Sequence, residues 1–124
     1  MKIFAYEVRE DEKRFLMDRA AEMGIILEQS GEIPSLDNAD DTKGCVGVTI
    51  LGQGKINEAL LKVWHENGVR YLSTRTIGYD HIDLACAKAL GIRVCNASYA
   101  PNGVADFTVM LMLMCLRNYK QAMW

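Results

Sequence analysis

Short apolar segments alternate with amphipathic segments along most of the chain, and this alternation constrains the fold. Five runs have the composition of β-strands: residues 2–8, 25–27, 45–51, 69–73 and 92–95. Helical spacing of apolar residues predicts helices over residues 11–23, 56–67 and 80–90, each followed by a glycine. Strands that alternate with helices of this length are typical of βαβ units. The sequence therefore predicts an α/β fold whose parallel sheet is covered by helices on both faces.

The balance of charged residues indicates which classes of ligand or partner the chain can attract. The 124 residues include 14 Lys plus Arg and 16 Asp plus Glu, which gives a formal net charge of −2 without a polybasic cluster. Such a chain has no field that would attract nucleic acid or anionic lipid from a distance. We therefore expect a small molecule or another protein as partner, and neither nucleic acid nor a membrane.

Three further features predict a soluble, cytoplasmic protein. Acidic residues begin at Glu7, too soon after Met1 for the apolar core of a signal peptide. The longest largely apolar run, residues 107–116, is far shorter than the roughly 20 residues that span a bilayer. The four cysteines form no C-x-x-C pair, so we expect small core side chains in a reducing compartment and no metal site.

The last segment differs from the rest of the chain. Residues 102–123 are predicted as one long helix, and residues 110–116 are apolar without interruption. A helix that is apolar on every side needs partners on all sides. The preceding strands can cover only one side, so we expect a second domain or a second subunit to cover the remainder.

Ligands of open α/β sheets bind beyond the carboxyl ends of the strands, where a glycine-containing loop begins at Gly52. Its G-x-G start is similar to a dinucleotide loop, but Asn57 replaces the third glycine and Leu72 stands where an acid is needed. We therefore expect a flexible loop that lines a cleft. A receiver domain is excluded because no aspartate ends the third strand, and a flavin phosphate loop because residues 7–11 are acidic.

The turn after the fourth predicted strand is the most informative. Asp80 and Asp83 have the spacing of a capping box at the start of a helix. Gly78 would let a ligand approach main-chain N–H groups, and the positive end of the helix would favour a carboxylate. Residues 77–79 are therefore a candidate carboxylate clamp. The alternative is an ordinary strand-to-helix turn.

The turn after the fifth predicted strand holds a tyrosine. Pro101 restrains the loop and Asn102 is a candidate helix N-cap, so Tyr99 would stand on a stiff segment at the mouth of the cleft. Its phenol either touches a substrate or packs on the neighbouring loop. His65 and His81 have no partner at triad spacing, so nucleophilic catalysis is not supported; we expect His81 in the first helical turn.

Two motifs resemble the D-isomer-specific 2-hydroxyacid dehydrogenases. One is STRTIGYDHID at residues 73–83; the other is YAPNGVAD at residues 99–106, followed by an apolar stretch and by RN at residues 117–118. The similarity is strong from residue 69 to residue 120 and looser before it. It is greatest to the branch that holds D-lactate dehydrogenases and vancomycin-resistance dehydrogenases.

The resemblance implies a two-domain enzyme that uses NAD to reduce a small 2-keto acid to the D-2-hydroxy acid. Residues 1–101 would belong to a flavodoxin-like, three-layer substrate domain. Residues 102–124 would form a helix that crosses to a Rossmann NAD domain, through which the enzyme would form a homodimer.

The resemblance also implies roles for individual residues. The backbone amides of Ile77 and Gly78 match those that hold the substrate carboxylate, and Tyr99 matches a tyrosine that faces the substrate. Val104 and Ala105 match positions where the crossing helix passes the nicotinamide. For residues 77–79, the resemblance favours the clamp over the ordinary turn.

Several parts of the family pattern have no counterpart in this chain. The nucleotide loop, the substrate-binding arginine, the catalytic histidine and its glutamate partner are expected after Trp124, and neither Arg75 nor His81 is assigned to these roles. We therefore expect an N-terminal fragment that is itself inactive. The alternative is a non-catalytic dimerising or partner-binding module related to the dehydrogenase-like corepressors.

Overall fold

A five-stranded parallel sheet forms the centre of the computed structural model, which describes residues 1–122. The strands are β1 (Lys2–Ala5), β2 (Ile26–Gln29), β3 (Gly47–Ile50), β4 (Tyr71–Thr74) and β5 (Arg93–Asn96). They lie in the order β2-β1-β3-β4-β5, and every neighbouring pair is parallel. This is the flavodoxin-like order, so the predicted α/β class is confirmed.

Helices cover the two faces of the sheet. They are α1 (Glu10–Glu22), α2 (Glu58–Glu66) and α3 (Leu84–Ala89), with a short 3-10 helix, Ala39–Thr42, between β2 and β3. The crossover from β1 to β2 moves along the sheet in one direction, whereas those from β3 to β4 and β5 move in the other. Because such crossovers are right-handed, α1 lies on one face and α2 and α3 lie on the opposite face.

The face under α2 holds the hydrophobic core. Leu60, Leu61 and Trp64 are at most 2% exposed, as the helical spacing predicted. The ring of Tyr6 stacks on Trp64 with ring centroids 5.8 Å apart. The Tyr6 hydroxyl donates to the carbonyl of Asn38 at 2.7 Å, and burial raises the pKa of Tyr6 above its ordinary value of 10.0.

The face under α1 is less well covered. Ala20 is the buried residue of this helix, whereas Phe15 and Met23, predicted on its core-facing side, are 66% and 65% exposed. A hollow of about 370 Å³ with a mainly apolar lining lies between α1 and the strands. A single helix cannot cover a five-stranded face, which explains why part of the predicted core of α1 meets solvent.

The helix α3 begins later than predicted. Asp83 is its N-cap and accepts a hydrogen bond from the backbone N–H of Cys86 at 2.9 Å. Before it, Asp80 and His81 form a turn and Ile82 makes a β-bridge to Ile56, since Ile56 donates to the carbonyl of His81 at 2.8 Å and accepts from the N–H of Asp83 at 3.0 Å. The predicted capping box of Asp80 with Asp83 is therefore wrong, and so is the placement of His81 in the first helical turn.

The predicted long helix is also divided. It consists of α4 (Asn102–Leu116) and α5 (Tyr119–Ala122), while Met123 lies outside the described residues. The break occurs at Asn118, whose φ of 47° is left-handed, a conformation that asparagine tolerates better than most residues. The N-cap is Pro101 rather than Asn102, and its carbonyl accepts from the two N–H groups of residues 104 and 105 at 3.1 Å.

No residue of α4 is buried, although its sequence is apolar on every side. Leu113 and Leu116, for example, are 55% and 79% exposed. Within residues 1–122, α4 therefore lacks the covering partner that its pattern requires. Along the same part of the chain, no helix combines the length and the apolar character needed to cross a membrane.

The cysteines only partly follow the prediction of small core side chains. Cys45 is buried and burial raises its pKa, while Cys86 is half-buried. Cys95 and Cys115 are exposed, which corrects the prediction for these two. All four thiols are free.

Candidate functional site

The loops that follow β1, β3, β4 and β5 meet at one edge of the sheet because all strands point the same way. In the loop after β4, three successive backbone carbonyls accept hydrogen bonds from other groups of the chain. The N–H of Ala97 donates to Thr76 at 3.0 Å, and the Asn96 side-chain amide donates to Ile77 at 2.8 Å. The hydroxyl of Thr76 donates to the carbonyl of Gly78 at 2.7 Å.

These three contacts orient the N–H groups of the same peptides. The peptides are trans, so each N–H points opposite to its carbonyl. The N–H groups of Ile77, Gly78 and Tyr79 therefore point away from the groups that hold the carbonyls, and none donates to an acceptor among residues 1–122. Unpaired N–H donors on an exposed turn can bind a carboxylate. The end of a helix does not assist, because α3 begins only at Leu84.

A line of side chains supports the turn from within. Because the hydroxyl of Thr76 donates to Gly78, its oxygen accepts from the buried hydroxyl of Thr74 at 2.6 Å. The Thr74 oxygen lies 3.3 Å from Nε2 of His81, which must then be the donor. His81 is thus bonded into the support of the turn.

The guanidinium of Arg75 is likewise hydrogen-bonded within the chain. Its Nη2 donates to the carbonyls of Tyr6 and Glu7 at 3.0 Å each, and its Nη1 lies 3.3 Å from the hydroxyl of Thr49. Its Nε also lies 3.4 Å from a carboxylate oxygen of Glu12. The guanidinium therefore joins the loops after β1 and β4.

The glycine-containing loop at residues 51–54 holds an anion, but the anion belongs to the chain itself. The backbone N–H groups of Gly52, Gln53 and Gly54 donate to the side-chain oxygens of Glu7 at 2.7, 2.8 and 3.1 Å, and the N–H of Leu51 also donates to it. These four hydrogen bonds tie the loop to the segment after β1, an anchor that the prediction of a flexible loop did not include. A phosphate cannot use these donors while Glu7 occupies them.

Sequence reasoning missed Glu7, which is only 4% exposed and has a left-handed φ of 55°. It was part of the acidic segment that argued against phosphate. One signal could have found it: an acid directly after one strand and two closely spaced glycines after a neighbouring strand of a parallel sheet. N–H groups of a glycine loop need an acceptor, and a nearby carboxylate supplies one.

The other predicted residues lie on the exposed segment after β5. Tyr99 is 57% exposed and makes no hydrogen bond within the described part of the chain, so its phenol is accessible to a ligand. Val104 is 61% exposed and Ala105 is exposed as well, both in the first turn of α4. Within residues 1–122, no hydrogen bond joins these three residues to the turn at Gly78.

Comparison with known proteins places this chain in a family. The family model described as D-isomer specific 2-hydroxyacid dehydrogenase, catalytic domain, matches residues 3–121. An aromatic 2-oxoacid reductase from Clostridium sporogenes is 40% identical, over 95% of this chain and 36% of the reductase. A D-2-hydroxyacid dehydrogenase (NAD+) from Lacticaseibacillus paracasei is 32% identical, over 95% of this chain and 36% of that enzyme.

The fold agrees with these relatives. The apo structure of D-lactate dehydrogenase from Escherichia coli superposes with a TM-score of 0.84 at 27% identity, covering 98% of this chain and 39% of that protein. The chain thus spans somewhat more than a third of the length of the proteins it resembles. On the family match over nearly all its residues, this chain belongs to the D-isomer specific 2-hydroxyacid dehydrogenases.

Proposed function

We propose that this chain is the substrate-binding part of an NAD-dependent enzyme that reduces a small, lactate-like 2-keto acid to the D-2-hydroxy acid. Residues 1–101 form the substrate domain in this proposal, and residues 102–124 lead into a nucleotide domain. The family membership and the names of the relatives support the reaction class.

One observation carries the proposal. The carbonyls of residues 76–78 are each held by a protein donor, and the three N–H groups opposite them have no acceptor within residues 1–122. A 2-keto acid carries a carboxylate next to the reacting carbonyl, so N–H donors that bind it fix the position of the carbonyl carbon as well. The amides of Ile77 and Gly78 are assigned to this contact, and the exposed Tyr99 to the substrate beside it.

The first turn of α4 is assigned to contact with the nicotinamide of the cofactor. Val104 and Ala105 are exposed and apolar, which fits the face of a flat nicotinamide ring but offers nothing to a phosphate. The four N–H groups at residues 51–54 are already bonded to Glu7, so the phosphates must be held elsewhere. The cofactor in its reduced form, NADH, would supply the hydride for carbonyl reduction and be left as NAD.

Proton transfer is not assigned to the described residues. Nε2 of His81 and the guanidinium of Arg75 are hydrogen-bonded within the chain, and neither side chain is assigned to the substrate. The arginine, glutamate and histidine of the family are assigned to sequence beyond Trp124. A homodimer formed through the nucleotide domain and a reducing, cytoplasmic setting complete the proposal; the four free thiols agree with that setting.

The test uses the full gene product and compares an acid with its ester. NADH oxidation is followed with pyruvate, phenylpyruvate, 2-ketoisocaproate and methyl pyruvate, and the configuration of the product is determined. We expect a D-2-hydroxy acid. Asn96→Ala releases the carbonyl of Ile77, and with it the orientation of the Gly78 N–H in the same peptide. The KM for the acids should rise by about tenfold, the size expected when that N–H loses its hydrogen bond to the charged substrate carboxylate.

The ester makes the test specific to the carboxylate. Its KM should change little in Asn96→Ala, because it has no charge for the N–H groups to hold. Arg93→Ala, at the other end of β5, is the control and should leave both substrates unaffected. An equal loss for acid and ester would refute the clamp, and an absence of 2-keto acid reduction by the full gene product would refute the proposed reaction.

A further inference from the structure

We propose that Glu7 is a positioning residue that determines substrate selectivity by anchoring the loop at residues 51–54. The inference rests on the proposed function, since it concerns the pocket in which the 2-keto acid would bind. It assigns a specific task to a buried acid that lies outside both motifs of the family resemblance.

The anchoring contact is unusually complete. Both oxygens of the Glu7 side chain are used, one by the N–H groups of Leu51 and Gly52 and the other by those of Gln53 and Gly54. The residue is 4% exposed, so water competes little for these bonds. Four successive N–H groups aimed at one carboxylate form an anion nest, which here has a built-in occupant.

The backbone of Glu7 is held in place from two further loops. Its N–H donates to the carbonyl of Glu32 at 3.0 Å, and its carbonyl accepts from Nη2 of Arg75 at 3.0 Å. The same Nη2 binds the carbonyl of Tyr6. These contacts fix the left-handed φ of 55° and so direct the side chain toward the loop after β3.

The anchored loop lies beside the candidate carboxylate clamp. A Cβ placed on Gly52 would meet Cε1 of His81 at 3.0 Å and Cγ2 of Thr76 at 3.4 Å. Both residues belong to the hydrogen-bonded support of the turn at Gly78. The loop that Glu7 holds is therefore a wall of the same site, and Leu51, which is half-buried, begins that wall.

A wall with a fixed position selects substrates by size. While Glu7 holds the four N–H groups, the loop cannot move outward to admit a larger side chain or inward to close on a smaller one. Without the carboxylate, the N–H groups must find water, and the loop gains alternative positions. The ratio of activities on bulky and small 2-keto acids should then change, which a uniform loss of stability would not produce.

The main variant is Glu7→Gly, because glycine adopts the left-handed backbone without strain while the whole side chain, with its carboxylate, is removed. The second variant, Glu7→Gln, keeps the shape but offers a single acceptor oxygen and turns an NH₂ group toward N–H donors. The control is Glu10→Gln, which removes the same charge from an exposed residue bonded to Lys13. All three are made in the full gene product.

Two readouts are measured. The first is amide hydrogen exchange at residues 51–54 without substrate, which should be about tenfold faster or more in both Glu7 variants, since bonds to a charged acceptor are lost. The second is the ratio of kcat/KM for 2-ketoisocaproate to that for pyruvate, which should shift by about threefold or more. Glu10→Gln should change neither.

The outcomes separate the two proposals. Unchanged exchange at residues 51–54 in a folded Glu7→Gly protein would overturn the anchoring. Faster exchange with an unaltered ratio would overturn the selectivity role. If the full gene product reduces no 2-keto acid, the proposed function fails, and the exchange measurement still decides whether Glu7 anchors the loop.

Discussion

Gly52 occupies a position that a larger residue cannot share. Its φ is +97°, and a Cβ would lie 3.0 and 3.1 Å from two ring atoms of His81. Gly52→Ala should therefore lower the free energy of unfolding by about 1–3 kcal/mol, through backbone strain and the contact with the imidazole together. Urea denaturation measures the loss.

Gly24→Ala is the matched control for this substitution. Gly24 also has a left-handed φ, of +64°, but its Cβ would meet nothing within 4 Å. It should lose only the strain, about 1 kcal/mol. Equal losses in the two variants would show that the contact between the loop at Gly52 and His81 contributes nothing.

Tyr6 gives the domain a sensitivity to alkaline pH. Burial raises its pKa, so the folded state holds the phenolic proton more tightly than the unfolded state, whose pKa is near 10.0. The stabilisation is complete below pH 10 and is lost as the pH rises toward the raised pKa. The free energy of unfolding should fall above pH 10.

Tyr6→Phe isolates this effect. At neutral pH the variant should lose about 1 kcal/mol with the hydrogen bond to the Asn38 carbonyl. It should also show a smaller decline above pH 10. Urea titrations at pH 8 and at several values above 10 compare the two proteins, and parallel declines would show that another group causes the alkaline instability.

At the residue scale, a residue could be predicted from the sequence only where its role depends on its neighbours along the chain. Gly78 was predicted because a glycine in the short turn between a strand and a helix is visible in the sequence, and the N–H groups of that turn have no acceptor within residues 1–122. Glu7 was missed because its four donors lie 44 to 47 positions along the chain. The hydrogen bonds of Arg75 to the carbonyls of Tyr6 and Glu7 join residues 69 and 68 positions apart, so no local sequence pattern indicates them.

Asp83 controls the start of α3. Its carboxylate accepts from the N–H of Cys86, whereas Asp80 caps nothing. Asp83→Ala should lower the free energy of unfolding by about 1 kcal/mol, the usual value of an N-cap. Asp80→Ala, an exposed neighbour of the same type, should change it little, and urea denaturation of both variants checks this. A larger loss in Asp80→Ala than in Asp83→Ala would show instead that the helix begins at Asp80, as the sequence predicted.

At the scale of elements, periodicity predicted which segments form the sheet and the helices, because burial on one face imposes that periodicity. The buried face of α2 is the best example. The start of α3 was not predictable, since two aspartates offered caps and the bridge from Ile56 to Ile82 decided between them. The break at Asn118 was hidden because apolar residues alone do not show where a helix ends.

In the described part of the whole molecule, residues 1–122, two large apolar surfaces face solvent. One is the hollow between α1 and the sheet, and the other is the entire surface of α4. A parallel sheet is normally covered on both faces, and an apolar helix is normally enclosed. The relatives are nearly three times as long as the matched segment, so further chain is available in them to cover such surfaces.

The uncovered α4 predicts how the 124-residue polypeptide behaves by itself. Contiguous apolar surface of this kind drives association, so light scattering should give a mass well above the 13.9 kDa of one chain. Leu113→Glu with Leu116→Glu should shift the polypeptide toward the monomer without loss of its circular dichroism, since neither side chain is part of the core. The control pair, Phe15→Glu with Met17→Glu, changes exposed apolar residues of α1 and should remain associated. A monomeric wild-type chain at high concentration would instead mean that α4 folds back and covers the open face of its own sheet.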